Sequence, residues 1–123
     1  MLGDAPIGPV LPAADIARAT AFYRGTLGLS VVSESASGTM LTAGSGTLLV
    51  IYPHAGTRAE NTVAGFAVSD LAATMTEMRA AGVAFEEYDQ PGLKTVDGVA
   101  DMGGMKGAWF KDTEGNIIAL AQM

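Results

Sequence analysis

The chain of 123 residues contains no cysteine, one histidine, one tryptophan, and 7 basic residues against 13 acidic ones. Each shortage removes a class of chemistry. Without cysteine there is no disulfide framework, thiolate nucleophile or zinc-finger site. With His54 as the only imidazole, the plentiful Ser and Thr hydroxyls have no evident base to activate them. A catalytic divalent metal needs about three protein ligands converging from different strands, and one histidine beside an expected linker is a poor start. The formal charge of -6 repels phosphate backbones and supplies no basic patch, which argues against nucleic acid and membrane as partners. Apolar residues reach 49%, but in short runs broken by Gly and Pro, none of bilayer-spanning length. The first residues show no basic-then-apolar secretory pattern, so a cytoplasmic location is expected. Lys94 and Lys106, the Schiff-base candidates, lie in Gly-rich polar sequence, and Gly103-Gly104 lacks phosphate-loop spacing.

What is present is a repeat. Ile7–Ala14 reads as a short edge strand carrying Pro9 and Pro12. Asp15 then caps a helix with Ile16, Ala19, Thr20, Tyr23 and Leu27 on one face, and Gly28 stops it. Strands are expected at 29–34, 40–43 and 47–53, and a polar linker at 54–61. The pattern then restarts. Val63–Ser69 is a strand, and Asp70, 55 residues after Asp15, caps a helix bearing Leu71, Thr74, Met75 and Met78, ending at Gly82. Further strands are expected at 83–88, 105–111 and 116–122, with a Gly- and Asp-rich loop at 89–104 that is long enough to lie over a site. The result is an α+β chain with a βαβββ unit used twice, module one over about residues 6–54 and module two over about 62–123.

Three segments carry a family resemblance. Asp15–Leu29, Phe66–Leu71 and the closing hairpin Trp109–Leu120 are similar, in that order, to the motifs of the vicinal oxygen chelate superfamily, which holds glyoxalase I, extradiol dioxygenases and bleomycin-resistance proteins. The resemblance covers nearly the whole chain. It implies that each sheet rolls into a half-barrel and that half-barrels face each other around a cavity, often in a homodimer. It also gives four places for metal ligands, which fall near Gly8, Val50 and Val63 and at Ala119. None of these, nor an immediate neighbour, is a metal-binding side chain. No metal and no other cofactor are therefore expected.

If those places point inward, residues two apart share their face. The expected ligand-binding set is Val10, Pro12, Leu48, Val50, Tyr52, Val63, Ala67, Met105, Trp109 and Ala119, with Gly65, Gly107, Ile117 and Ala121 on the same face. No catalytic residue is assigned. Asp112 and Glu114 read as turn formers, Met75 and Met78 as core, and Glu86, Glu87, Asp89, Asp97 and Asp101 as a solvated rim. An apolar site with an aromatic wall suits metal-independent sequestration of a hydrophobic, planar aromatic small molecule, the resistance or self-resistance mode of the bleomycin-resistance branch. The alternative is a lyase, isomerase or dioxygenase relative whose metal site is non-standard or absent, with Asp101 or a cavity water as its candidate base. A third is an interaction module whose cavity is filled.

Overall fold

The computed structural model describes residues 1–55 and 60–123, and the chain divides into two compact units, Met1–Thr57 and Arg58–Met123. The linker expected at 54–61 lies partly outside the described residues.

In the first unit, β1 (Val10–Ala13) leads into α1 (Ile16–Ala21), followed by β2 (Ser30–Ser35), β3 (Gly38–Thr42) and β4 (Leu48–Pro53). The sheet order is β1-β4-β3-β2, with β1 parallel to β4 and the other pairs antiparallel. Pro12 sits on an edge strand, where a missing N–H costs no ladder bond. Asp15 adopts extended backbone and its carboxylate accepts the Arg18 N–H at 3.0 Å, the expected N-cap. The helix is less regular than its spacing suggests. After Ala21 it widens into a π-helical turn, Phe22–Thr26, in which Leu27 N–H reaches back to the Phe22 carbonyl, and Gly28 at φ +83 ends it. Ala19, Thr20 and Tyr23 are buried, and the Thr20 hydroxyl meets that of Thr39 on β3 at 2.9 Å. Leu11, Ala13, Leu41, Leu49 and Ile51 complete this core from the helix-facing side of the sheet.

The second unit repeats the plan with β5 (Thr62–Ala67), α2 (Leu71–Ala80), β9 (Lys106–Lys111) and β10 (Ile117–Gln122), and places β8 (Ala100–Asp101) at the edge in the order β5-β10-β9-β8. Asp70 caps α2 by accepting the Ala73 N–H at 3.0 Å, and the Gln122 side-chain oxygen accepts the Leu71 N–H at 2.6 Å. Ala108, Phe110, Ile118 and Leu120 are buried together with Leu71 and Met75 of α2, while Met78, expected in the core, is half-buried.

Two expectations need correction. Residues 83–88 do not form a ladder strand: Phe85 bridges Phe110, and Glu86 N–H donates to the Trp109 carbonyl at 2.8 Å. The outer edge of β9 is shared, because Ala100 and Asp101 take the positions opposite Gly107 and Lys106. Nor is 89–104 an irregular loop. It contains a hairpin of β6 (Asp89–Gln90) and β7 (Leu93–Lys94), and its turns are tight: Pro91-Gly92, Asp97-Gly98 and Gly103-Gly104. Asp97 and Gly98 both have positive φ, 52° and 81°, and Val96 and Val99 exchange two backbone bonds across them, the geometry of a type I′ turn. That turn docks beside α2, where the Arg79 guanidinium donates to the Asp97 carbonyl at 2.8 Å and lies 5.2 Å from the Phe85 ring centroid.

The closing hairpin forms as expected. Buried Asp112 accepts the N–H groups of Glu114 and Asn116 on Oδ1 at 2.8 and 2.9 Å, and the Asn116 side-chain amide on Oδ2 at 2.9 Å. Gly115, at φ +87, supplies the left-handed position that a three-residue hairpin loop requires.

Candidate functional site

Each sheet buries one face under its helix and leaves the other open, so period-two alternation decides which side chains a ligand would meet. In the first unit the open face carries Val10 and Pro12 of β1 and Leu48, Val50 and Tyr52 of β4. Register sets Val10 beside Val50 and Val50 beside Met40 of β3, while Pro12 stands beside Tyr52. Val10 is 58% exposed and Leu48 43%, unusual for aliphatic side chains in a sheet and the mark of an uncovered apolar surface. Met40 belongs to this face and was not among the expected residues, although alternation along β3 would have found it. His54 is exposed, and its ring lies edge-on to that of Tyr52 with centroids 5.9 Å apart.

In the second unit Gly65, Ala119 and Trp109 form one row across β5, β10 and β9, and Ala67, Ala121 and Gly107 the next. Val63, 38% exposed, sits at the Ile117 end of β5, and half-buried Met105 precedes β9 at the opposite end, next to the Ala67–Ala121–Gly107 row. Ile117 precedes the Ala119 row on β10, opposite Lys111 of β9, and is buried. The pairing of β5 with β10 slips by one residue at Val63, between the pairs Thr62–Ile117 and Ala64–Ile118, while β10 stays in register with β9.

Trp109 is half-buried and its neighbourhood is the most built part of the face. A Cβ added at Gly107 would stand 3.2 Å from indole Cη2 and 3.0 Å from Met102 Cε, so the absence of a side chain there makes room for both. Tyr88 meets the indole edge-to-face, centroids 5.6 Å apart and planes at 82°. Tyr88 is itself clamped: its N–H donates to Thr95 Oγ1 at 2.8 Å, and its carbonyl accepts the Thr95 N–H at 2.9 Å. Burial, with the Glu86 carboxylate as a second cause, pushes the Tyr88 phenol above the usual tyrosine value. Glu86 also lies 3.6 Å from Lys111 Nζ. Sequence reasoning missed Tyr88 and Met102 because both lie in stretches whose pairing depends on the three tight turns. The odd separation of Tyr88 from helix-facing Phe85 was the one signal available.

The places that family resemblance gives to metal ligands do not fit a metal. Val50, Val63 and Ala119 bring alkyl groups, and Gly8 brings a hydrogen. Position 8 is closed sterically as well, since a Cβ there would stand 2.6 Å from the Leu48 carbonyl oxygen, a backbone atom that cannot step aside. Among the described residues no three His, Cys, Asp or Glu side chains converge. Asp101, the candidate base, is exposed, and its carboxylate accepts the Gly103 N–H at 3.2 Å within the β8–β9 turn.

Comparison with known proteins follows the same lines. A family model described as the Glyoxalase/Bleomycin resistance protein/Dioxygenase superfamily matches residues 7–120. No curated protein matches. Among solved structures, UcmS2 is 18% identical with a TM-score of 0.72, covering 93% of this chain and 94% of its own. Lactoylglutathione lyase from Agrobacterium tumefaciens is 18% identical with a TM-score of 0.74, covering 99% and 96%. A mutant of the fosfomycin resistance protein FosX from Listeria monocytogenes, complexed with Mn(II) and 1S,2S-dihydroxypropylphosphonic acid, is 15% identical with a TM-score of 0.68, covering 94% and 88%. At these identities the likeness is one of fold.

Proposed function

We propose, from the premise that this chain belongs to the glyoxalase/bleomycin resistance protein/dioxygenase superfamily, that it binds and sequesters a hydrophobic, planar aromatic small molecule without a metal. The fold alone does not choose, since it is shared by a lactoylglutathione lyase and a resistance protein. The observation that carries the reading is the open face around Trp109. There an indole stands beside Ala119, with Tyr88 against it and Met102 Cε over Gly107, while the side chains at the family's ligand places hold no donor atom. Small neighbours leave room for the half-buried indole on this face, and aromatic and thioether groups supply flat, polarizable surface. Burying roughly 300 Å² of ligand apolar surface at about 25 cal/mol per Å² yields about 7 kcal/mol before ordering costs. Useful affinity therefore needs no Lewis acid.

Trp109 is the only tryptophan, so its fluorescence reports this place alone. Titration of chelator-treated protein with flavone, acridine and anthraquinone-2-sulfonate should give saturable quenching, and Trp109→Ala should weaken binding by about tenfold while leaving the far-UV circular dichroism unchanged. Quenching that appears only after a divalent ion is added back would sink the metal-free reading and direct the search to an enzyme.

A further inference from the structure

We propose that Tyr88, clamped by Thr95, is the positioning residue of the Trp109 platform: its ring stands at right angles to the indole and fixes the plane on which a flat ligand stacks. The inference rests on the binding role assigned above to Trp109. Its ground is geometric. Around the indole stand Gly107, Met102, whose Cε reaches the same spot above Gly107, and Tyr88; Gly107 has no side chain and Met102 a flexible one, so only Tyr88 brings a rigid shape. Gly107 permits the indole to lie along β9; it does not hold it there. Tyr88 can hold it because its main chain is anchored. Its main chain is bound on both polar groups by Thr95, which is 6% exposed, and Thr95 stands just beyond the β6–β7 hairpin. The β6–β7 hairpin thus acts at a distance from the face, by returning the chain so that Thr95 reaches Tyr88. A partner ring at right angles also suits a platform, since it can abut at most one face of the indole and leaves the other to a ligand.

The test uses the full chain and three substitutions, Tyr88→Phe, Tyr88→Leu and Thr95→Val, with two readouts that need no ligand and one that does. Tyr88→Leu should flatten the near-UV circular dichroism of Trp109, raise its acrylamide quenching about twofold and weaken flavone binding about fivefold. Tyr88→Phe keeps the ring and should stay within about twofold of the parent in all three. Thr95→Val keeps the volume but strips the acceptor from the Tyr88 N–H, and should shift all three in the direction of Tyr88→Leu. An indole spectrum and quenching rate untouched by Tyr88→Leu would overturn the proposal, whatever flavone does; a changed spectrum with unchanged flavone affinity would overturn its link to binding. Should the parent protein not take up flavone, the binding role falls, while the dichroism and quenching still decide whether Tyr88 orders the indole. Thr95→Val, which leaves every ring in place, guards against a Tyr88→Leu effect that is simply lost packing.

Discussion

A single phenol gives the site a handle that can be read by pH. Tyr88 has its pKa raised by burial and by Glu86, so the folded state prefers the neutral phenol. The sign follows directly: whatever stability this group contributes is fully present below the ordinary tyrosine value and is lost as pH rises through the raised one. Because the ring touches the indole, its ionised form should quench Trp109 emission, and that drop should fall at a higher pH than for free tyrosine and vanish in Tyr88→Phe. An alkaline fluorescence titration of the two proteins checks it. At this scale alternation made most of the open face legible: Val10, Val50, Trp109 and Ala119 stand where period two puts them. The one-residue slip of β5 against β10 was not legible, since nothing in Thr62-Val63-Ala64 announces it. Position 8 was legible as lacking a donor; the backbone oxygen 2.6 Å from its missing Cβ was not.

Among elements, the hairpin joining β9 to β10 carries the most local order, because one buried carboxylate satisfies three N–H donors. Asp112→Ala would leave the Asn116 side-chain and main-chain donors without that acceptor, and should destabilise the fold by about 2–3 kcal/mol in urea denaturation. A midpoint unchanged by the substitution would show the loop closing without it. Helix starts were equally plain in the sequence, since Asp15 and Asp70 announce their own caps. The π-helical turn was not, because the apolar spacing of α1 fits an ordinary helix and the extra residue at Phe22–Thr26 leaves no mark in it. The turns of 89–104 are hidden for a related reason. Gly and Asp richness fits an irregular loop as well as it fits tight turns, and only the pairing shows that Asp97-Gly98 and Gly103-Gly104 are the residues that two-residue turns demand.

For the whole molecule, the repeat of one βαβββ plan was visible as the 55-residue offset between caps, and each unit's sheet carries the order that the plan implies. No helix among the described residues is long and apolar enough to cross a membrane. The metal-free reading makes a prediction at this scale: exhaustive chelation, or addition of Mg, Mn, Ni or Zn ions, should leave the melting temperature within about 1 °C, because no resident ion contributes to folding. A rise of several degrees with one ion would expose a site that the side chains do not reveal. One feature of β9 reaches further. The peptide groups at Trp109 are engaged on both edges of the strand, by β10 and by Glu86, while the indole projects from the open face. Recognition and architecture thus occupy different atoms of one residue, and a descendant of this protein can change its preferred guest by exchanging the side chain at position 109 without renegotiating the sheet that displays it.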